Sequence, residues 1–278
     1  MTWGDKVMDR DSAAVGRAVD RLAPLYCESG PYPCEAKGLE NIPDGPILLA
    51  GNHSGGVLIP DVWGLGYVWH RHFGVERAIH GLAHEMLFKI PMAGEPLARL
   101  GVLRATREIA IEALMEHGHS IAVMPGGDGD VFRPYADRFK VRFGGRKGYA
   151  KTALRAGVPV VPVGHSGAHE TLIVLRSGRR IAKALHLHSL VRSDVFPISL
   201  SVPWGLTVGP IPNLPVPARF RYRFGRGIQI EEQPVPEPTQ AQIDELDRRV
   251  QAELQTLLDH LRAETPSIRH RLRYGLRR

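Results

Sequence analysis

The sequence is poor in cysteine and contains no long apolar run. Its only cysteines, Cys27 and Cys34, cannot form the disulfide framework of a small secreted domain, and they lack the spacing of a zinc site. The first residues lack the basic and apolar regions of a signal peptide. No segment reaches the roughly 18 continuous apolar residues of a transmembrane helix. We therefore expect a protein of the reducing cytoplasm, with neither a signal peptide nor a membrane span.

Internal repeats and low-complexity tracts are also absent. A composition of 43% hydrophobic and 23% charged residues is typical of a folded globular protein. Acidic residues are too few to balance the basic ones, and the net charge of +7 predicts an anionic partner. An anionic membrane and a phosphorylated ligand both fit. Nucleic acid is least favoured, because the arginines are dispersed and do not alternate with aromatic residues.

Short apolar segments alternate with amphipathic ones along the middle of the chain. Strands are predicted at 46–50, 77–83, 102–103, 120–124 and 158–164, and helices at 84–91, 108–117 and 148–156. This alternation favours an α/β fold with a mostly parallel or mixed central sheet flanked by helices. The proline-broken segment 181–217 favours loops and short edge strands, and 219–230 a closing strand.

Amphipathic helices are predicted at both ends of the chain. One covers 9–27 and starts near Asp11 or Ser12, and the other follows the proline-rich stretch 234–238. We divide the chain into an N-terminal amphipathic helix, a central α/β domain, and a C-terminal helix with a basic tail. These three parts cover residues 1–30, 31–232 and 233–278.

A histidine follows the first buried strand, in the turn Gly51-Asn52-His53-Ser54-Gly55-Gly56. Strand-to-helix turns in α/β folds are common places for ligands and catalytic groups. A neutral imidazole can act as a general base when a carboxylate bonds its other nitrogen, and Asp61 can reach back to do so. In the alternative interpretation, His53 only bonds nearby backbone.

Two further turns carry candidate binding residues. Arg104 and Arg107 follow a short strand and can hold a carboxylate or phosphate, although they are also typical of a solvated surface. The turn Pro125-Gly126-Gly127-Asp128 lets the backbone approach a ligand closely, unless it is a plain tight turn. Asp128 and Asp130 can hold a divalent metal, but no other ligand supports such a site.

Gly164-His165-Ser166-Gly167-Ala168 resembles the nucleophile elbow of an α/β-hydrolase. A serine esterase or lipase using Ser166 is therefore an alternative function. Asp194 can serve as its acid, but the only histidines after Asp194 are His260 in the C-terminal helix and His270 in the basic tail. Neither is the loop histidine that such a triad requires.

Four blocks in order resemble the glycerolipid acyltransferase superfamily, which includes the lysophospholipid acyltransferases. They are Gly51–Gly56 with Asp61, Ala83–Pro91 with Leu100, Gly101 and Arg107, Val123–Gly127, and Gly148–Gly164. Val202–Leu206 and the prolines up to Pro217 are similar to the branch of monoacylglycerol and diacylglycerol acyltransferase-like proteins. The resemblance covers residues 36–232 and implies an acyltransferase-like fold for the central domain.

The chain departs from the family pattern at two places. Leu58 holds the position of the usual aspartate, and Asp61 comes three residues later. Gly126 replaces the glutamate of the third block, and the threonine and arginine that normally follow are absent. In the phosphate-bearing acceptor branch those residues help to hold the polar head. Their loss favours a neutral alcohol or another lipid head group as acceptor.

The resemblance implies transfer of a fatty acyl group from acyl-CoA or acyl carrier protein to a lipid hydroxyl, without a metal or other cofactor. His53 and Asp61 would be the catalytic base and its orienting acid. The implied substrate-binding residues are the turn residues of the first block, the two arginines and the third block: Asn52, Ser54, Gly55, Gly56, Arg104, Arg107, Pro125, Gly126, Gly127 and Asp128. Backbone amides at Gly55–Gly56 or Gly126–Gly127 would stabilise the oxyanion.

Membrane contact is a separate expectation. The N-terminal helix, the segment 181–217 and the arginine-rich tail 269–278 can together hold the protein peripherally on an anionic bilayer at its cytoplasmic face. In the alternative interpretation these surfaces pack on the core or on another subunit. A non-catalytic lipid-binding protein of the same fold is a further alternative function.

Overall fold

A computed structural model describes residues 3–187, 193–231 and 233–265. The strands are β1 Cys34–Lys37, β2 Leu48–Gly51, β3 Ile79–Ala83, β4 Leu103–Arg104, β5 Ser120–Val123, β6 Val160–Ser166, β7 Ile173–Arg176, β8 Ile198–Ser201, β9 Gly205–Val208 and β10 Phe220–Phe224. The α-helices are α1 Ser12–Tyr26, α2 Pro60–Phe73, α3 Gly94–Arg99, α4 Arg107–Met115, α5 Asp128–Val131, α6 Gly148–Ala156, α7 Ala168–Thr171, α8 Arg179–Ala184 and α9 Gln240–Glu264. Short 3-10 helices cover Val7–Asp9, Leu39–Asn41, Gly56–Leu58, Glu85–Lys89 and Tyr135–Asp137.

Seven strands form the central sheet, in the order β1-β10-β6-β2-β5-β3-β4. All neighbouring pairs are parallel except β10 with β6, so the sheet is mixed. This confirms the predicted α/β fold with a central sheet. The carboxyl ends of the parallel strands β6, β2 and β5 lie at one edge, where loops are free to carry functional groups.

Both faces of the sheet are covered because its strands are apolar on both sides. Leu48 and Ala50 of β2 belong to a core cluster with α4, α6 and α9, whereas Ile47 and Leu49 belong to a second cluster with α2. Adjacent residues of one strand point to opposite faces. The two clusters therefore lie on opposite sides of the sheet, and β2 is buried between them.

The two terminal helices pack against the central domain. Asp11 caps α1, whose buried Val15 and Val19 lie on the side that contacts α2. Thr239 caps α9 through a reciprocal capping box, and this helix packs its buried leucines on β6. None of the described helices is long and apolar enough to cross a membrane. The tail 269–278 lies outside the described residues.

The proline-broken segment contributes α8 and two strands of a small antiparallel sheet, in the order β7-β8-β9. The usual burial pattern is reversed in this sheet, because polar side chains are buried and apolar side chains are exposed. Its buried residues on β8 and β9 are the polar Ser199, Ser201 and Thr207. Large apolar side chains are exposed on all three strands: Ile173, Leu175, Leu200, Leu206 and Val208. We call these five residues, with Trp204 in the β8–β9 turn, the apolar face.

Candidate functional site

The turn after β2 is fixed to the neighbouring strand by the side chain of Asn52. Its Nδ2 donates to the backbone oxygen of His165 at 3.0 Å, and the His165 amide donates to Asn52 Oδ1 at 2.8 Å. Both donor and acceptor of this fully buried amide are therefore satisfied. Asn52 therefore holds the turn in place.

His53 and Asp61 are in direct contact. His53 Nδ1 lies 2.7 Å from Asp61 Oδ2, and the Ser54 amide donates to the same oxygen at 2.9 Å. The His53 amide donates to Asp130 Oδ2 at 2.7 Å. Backbone and side chain of the histidine are thus each held by a different carboxylate.

Asp61 lies three residues farther along the chain than the aspartate of the family pattern, and the chain between His53 and Asp61 reverses its direction. Gly56–Leu58 is a 3-10 turn, and Ile59 then adopts a left-handed conformation with φ of 42°. Pro60 starts α2, a position at which proline is well tolerated. Asp61 lies in the first turn of α2, where the helix dipole favours a negative charge. This reversal brings the late aspartate back to His53.

Gly55 and Gly56 are required by this reversal. Both have positive φ, at 100° and 76°. A Cβ at Gly55 would lie 2.7 Å from Pro60 Cδ, and one at Gly56 would lie 2.5 Å from Leu172 Cδ2. These contacts leave no room for a side chain, so both glycines have a structural role in addition to the predicted one.

Asp61 is a buried carboxylate that stays charged. Burial alone raises the pKa of this carboxyl, but the neighbouring His53 and His165 lower it by more, so its net pKa falls below the usual range. A carboxylate can only accept, so Nδ1–H of His53 donates to it. The other ring nitrogen, Nε2, then carries the lone pair that can accept a proton.

His165 is a site residue that the sequence did not reveal. Its Nε2 lies 3.1 Å from Asp61 Oδ2, and its ring lies beside the Tyr222 ring at a centroid distance of 6.0 Å. Tyr222 donates its hydroxyl to the backbone oxygen of Asp61 at 2.8 Å. The only signal was the position of His165 after a buried strand, in the motif that drew attention to Ser166.

Ser166 lies on the other face of β6. A Cβ at Gly164 would point at Leu257 of α9, and Ser166, two residues later, shares that face. Its hydroxyl is buried and has no hydrogen-bond partner among the described residues. His260 is exposed on α9, and His270 lies outside the described residues. Among the described residues no histidine is hydrogen-bonded to Ser166, so the esterase interpretation has no activated nucleophile in this part of the chain.

The third block forms a closed turn rather than an open loop. The Gly127 amide donates to Met124 O at 3.0 Å, so it is not available to an oxyanion. Asp128 accepts from the Ser193 hydroxyl at 2.9 Å and pairs with Arg146 at 3.3 Å. In the described ranges, no group of three histidine, cysteine or acidic residues can hold a metal ion. The amides of Gly55, Gly56 and Gly126 remain the oxyanion candidates.

The two predicted binding arginines differ in availability. Arg104 pairs with Asp5 at 2.8 Å and with Glu85 at 3.2 Å, so its guanidinium is already occupied. These ion pairs give Arg104 a structural role, and its part in substrate binding stays a prediction. Arg107 is exposed at the start of α4, and within the described part of the chain it has no ion pair or side-chain hydrogen bond. It remains a candidate for binding an anionic group.

An apolar groove of about 710 Å³ lies beside the first turn of α2. Its apolar lining comes from α1, α2 and the turn before α2: Leu22, Leu25, Leu58, Pro60 and Trp63. Arg17, Arg21 and Arg99 also line it. Pro60 lines the groove and is followed by Asp61, so the groove lies against the turn of α2 that carries this carboxylate.

Comparison with known proteins identifies a matching family. A family model described as Acyltransferase matches residues 34–166, which include the His53 turn, the second block and the third block. Residues 34–166 therefore form an Acyltransferase domain, which supports the glycerolipid acyltransferase superfamily indicated by the sequence blocks.

The chain is also similar to two longer proteins. An uncharacterized protein of Mycobacterium tuberculosis is 31% identical over 70% of this chain and 51% of its own length. A Gallus gallus protein named "DGAT1/2-independent enzyme synthesizing storage lipids" is 26% identical over 81% of this chain and 58% of its own length. The chain therefore spans about half the length of these relatives.

The crystal structure of the 1-acyl-sn-glycerophosphate (LPA) acyltransferase PlsC from Thermotoga maritima has a similar fold. The TM-score is 0.52 at 19% sequence identity, and the match covers 92% of this chain and 80% of that one. At this identity the likeness concerns the fold alone. It agrees with the mixed central sheet described above.

Proposed function

We propose that the protein transfers a fatty acyl group from a thioester to the hydroxyl of a lipid, with His53 as the general base. The observation that carries this proposal is the 2.7 Å contact of His53 Nδ1 with the buried Asp61 carboxylate. It leaves Nε2 as the basic nitrogen at the end of a central strand, beside an apolar groove with room for an acyl chain.

The proposed reaction balances without a further reactant. Nε2 of His53 takes the hydroxyl proton of the acceptor, and the oxygen attacks the thioester carbonyl carbon. Asp61 stabilises the imidazolium that forms, and amides of Gly55, Gly56 or Gly126 stabilise the oxyanion. The carbon–sulfur bond then breaks, and the thiolate takes the proton back from the imidazolium. No covalent enzyme intermediate is required.

A neutral alcohol is the proposed acceptor class. A Cβ at Gly126 would lie 2.5 Å from Asp130 Cβ and 2.8 Å from Arg142 O. The glutamate that usually stands in this block therefore has no space here. The polar residues that hold a phosphorylated head in other branches are replaced by this packed turn, which supports a neutral acceptor.

A thioester-release assay over a panel of neutral and phosphorylated lipid acceptors tests the function. We expect acceptor-dependent release of thiol and formation of acylated lipid. His53→Ala should lower kcat about 10²- to 10⁴-fold, as for loss of a general base. Ser166→Ala is the control and should keep wild-type activity. Lipid binding without transfer from any thioester would favour a non-catalytic lipid-binding protein instead.

We further propose that the apolar face rests on an anionic lipid surface. Its side chains are well exposed, with Leu206 at 66% and Trp204 at 61%. Exposed cations accompany these side chains. Arg176 lies on β7, and Arg179, Arg180 and Lys183 lie on α8. Apolar residues beside exposed cations are the combination that binds anionic interfaces.

The small sheet adjoins the turn that carries His53. Leu172, which precedes β7, packs against Gly56 in the turn that carries His53. The face therefore lies where acceptor lipids would enter. The structure favours this surface over α1 as the membrane contact, because the buried side of α1 is packed on α2.

Vesicle sedimentation with Leu206→Asp tests the membrane proposal. We expect wild type to bind phosphatidylcholine vesicles containing phosphatidylglycerol at low salt, and the variant to bind at least fivefold less. Met115→Asp is the matched control, because Met115 is 51% exposed on α4, outside the apolar face. Equal binding by Leu206→Asp and wild type, or no binding by wild type, would contradict the proposal.

A further inference from the structure

A basic cleft of about 850 Å³ lies between the third block, the loop 142–146 and α8. Its cations are Arg142, Arg146, Arg179 and Lys183. They face the two carboxylates of Asp128 and Asp194. Positive charge therefore exceeds negative charge in a concave site of ligand size. It shares no lining residue with the apolar groove.

Two of the four cations already form ion pairs with carboxylates of the protein. Arg142 pairs with Asp137 at 2.8 Å, and Arg146 pairs with Asp128 at 3.3 Å. Arg179 and Lys183 are exposed, and within the described ranges neither has an ion pair or a side-chain hydrogen bond. They lie one helical turn apart on α8, so their side chains extend from the same side of the helix. Both are free to bind an anion.

Glycines form part of the opposite wall of the cleft. Gly129 and Gly144 line it, and no atom lies within 4 Å of a Cβ built at either residue. The main chain is therefore open to the cleft at both places, so a bulky anion can approach it closely.

The cleft is linked to the catalytic turn through α5. Gly126 lines the cleft, and Asp130 in α5 accepts a hydrogen bond from the His53 amide at 2.7 Å. A ligand in the cleft would thus lie close to His53 while leaving the apolar groove empty for an acyl chain.

We propose that this basic cleft binds phosphate groups of a substrate, with Arg179 and Lys183 as the principal contacts. The inference rests on the proposed acyl transfer, and it distinguishes between donors. A CoA thioester carries nucleotide phosphates at the end of a long flexible arm. Such a donor would place its phosphates in the cleft and its thioester at His53. A phosphorylated lipid head group has the same chemistry and is the other source.

The test of binding needs no catalytic activity. The probe is adenosine 3′,5′-diphosphate, titrated calorimetrically into wild type and into the double variant Arg179→Ala/Lys183→Ala. We expect the double variant to bind about tenfold more weakly or worse, because two charge-assisted hydrogen bonds are lost. The control Arg71→Ala/Arg226→Ala removes two exposed arginines outside the cleft and should bind like wild type. Equal affinity of the cleft variant and wild type, or no binding by wild type, would overturn the proposal.

Kinetics of the same variants identify the source of the phosphate. If the donor supplies it, KM for acyl-CoA rises about tenfold, while KM for the phosphate-free acyl N-acetylcysteamine thioester does not change. If the acceptor supplies it, only KM for a phosphorylated acceptor rises. Unchanged KM values for all these substrates would exclude the cleft from substrate binding. Absence of acyl transfer in wild type would refute the proposed function and leave the calorimetric result intact.

Discussion

His165 Nε2 lies 3.1 Å from Asp61 Oδ2, the same carboxylate oxygen that contacts His53 Nδ1. One buried oxygen therefore lies between two imidazoles. His165 belongs to β6 and is fixed by its backbone to Asn52, so it is a rigid neighbour of the carboxylate. We infer that His165 positions Asp61 and acts on the reaction only through it.

The variant His165→Asn tests this role. We expect kcat to fall about tenfold with little change in KM, the effect of losing one interaction with a charged group. Steady-state kinetics with the best acceptor measure both parameters. Ser166→Ala is the matched control, since it alters the next residue on the opposite face of β6. A wild-type kcat for His165→Asn would show that the contact has no role in the reaction.

Asp61→Asn retains the size of the side chain and removes its charge. We expect kcat to fall about 10²- to 10⁴-fold, because His53 loses the group that fixes its tautomer and stabilises its protonated form. The comparison requires a folded variant, shown by an unfolding midpoint in urea near that of wild type. A loss of less than tenfold in such a folded variant would mean that Asp61 is not the orienting acid.

Gly126→Ala should destabilise the third block. The new Cβ would lie 2.5 Å from Asp130 Cβ, and Asp130 holds the His53 amide. We expect the free energy of unfolding to fall by about 1–3 kcal/mol, as for other overpacked sites. Gly129→Ala is the control, because nothing lies within 4 Å of its Cβ and alanine favours a helix. Equal stability of the two variants in urea would contradict the prediction.

His80 should make the fold sensitive to acid. Burial lowers the pKa of this histidine from 6.5 to about 4, while its Nδ1 stays bonded to Gly101 O at 2.8 Å. Between these two pH values the unfolded chain binds a proton that the folded chain does not. The free energy of unfolding therefore falls as the pH decreases from 6.5 towards 4, by at most about 3 kcal/mol from this group.

Urea unfolding of His80→Asn at pH 7 and pH 4.5 measures this contribution. Asparagine can donate to Gly101 O but does not titrate, so the variant should lose less stability between the two pH values than wild type. Burial also lowers the pKa of His169. Its effect on the free energy of unfolding has the same sign in both proteins, so it cancels in the comparison. Parallel losses of stability in the two proteins would rule out His80 as the source.

The position of His53 could be predicted because its causes are local. An apolar strand followed by a glycine-rich turn specifies both the end of β2 and the turn that carries His53. The helix predicted at 148–156 has the same bounds as α6 for a similar reason. Its amphipathic residues end at Gly157, which has the left-handed conformation typical of a helix terminus.

The partners of His53 could not be predicted in the same way. The return of Asp61 requires Ile59 to adopt positive φ, which a β-branched residue disfavours. The approach of His165 depends on the pairing of β2 with β6, which are more than 100 positions apart in the sequence. The ion pair of Arg104 could not be predicted for a related reason, since its partner Asp5 lies 99 positions away.

The reversed polarity of the small sheet has a consequence for the solution behaviour of the protein. An apolar surface of this kind is unfavourable in water and lowers its free energy by contacting any other apolar surface. Without lipid, the available surface is a second copy of the same chain. Self-association in dilute buffer should therefore grow with protein concentration and disappear when vesicles or a mild detergent are added.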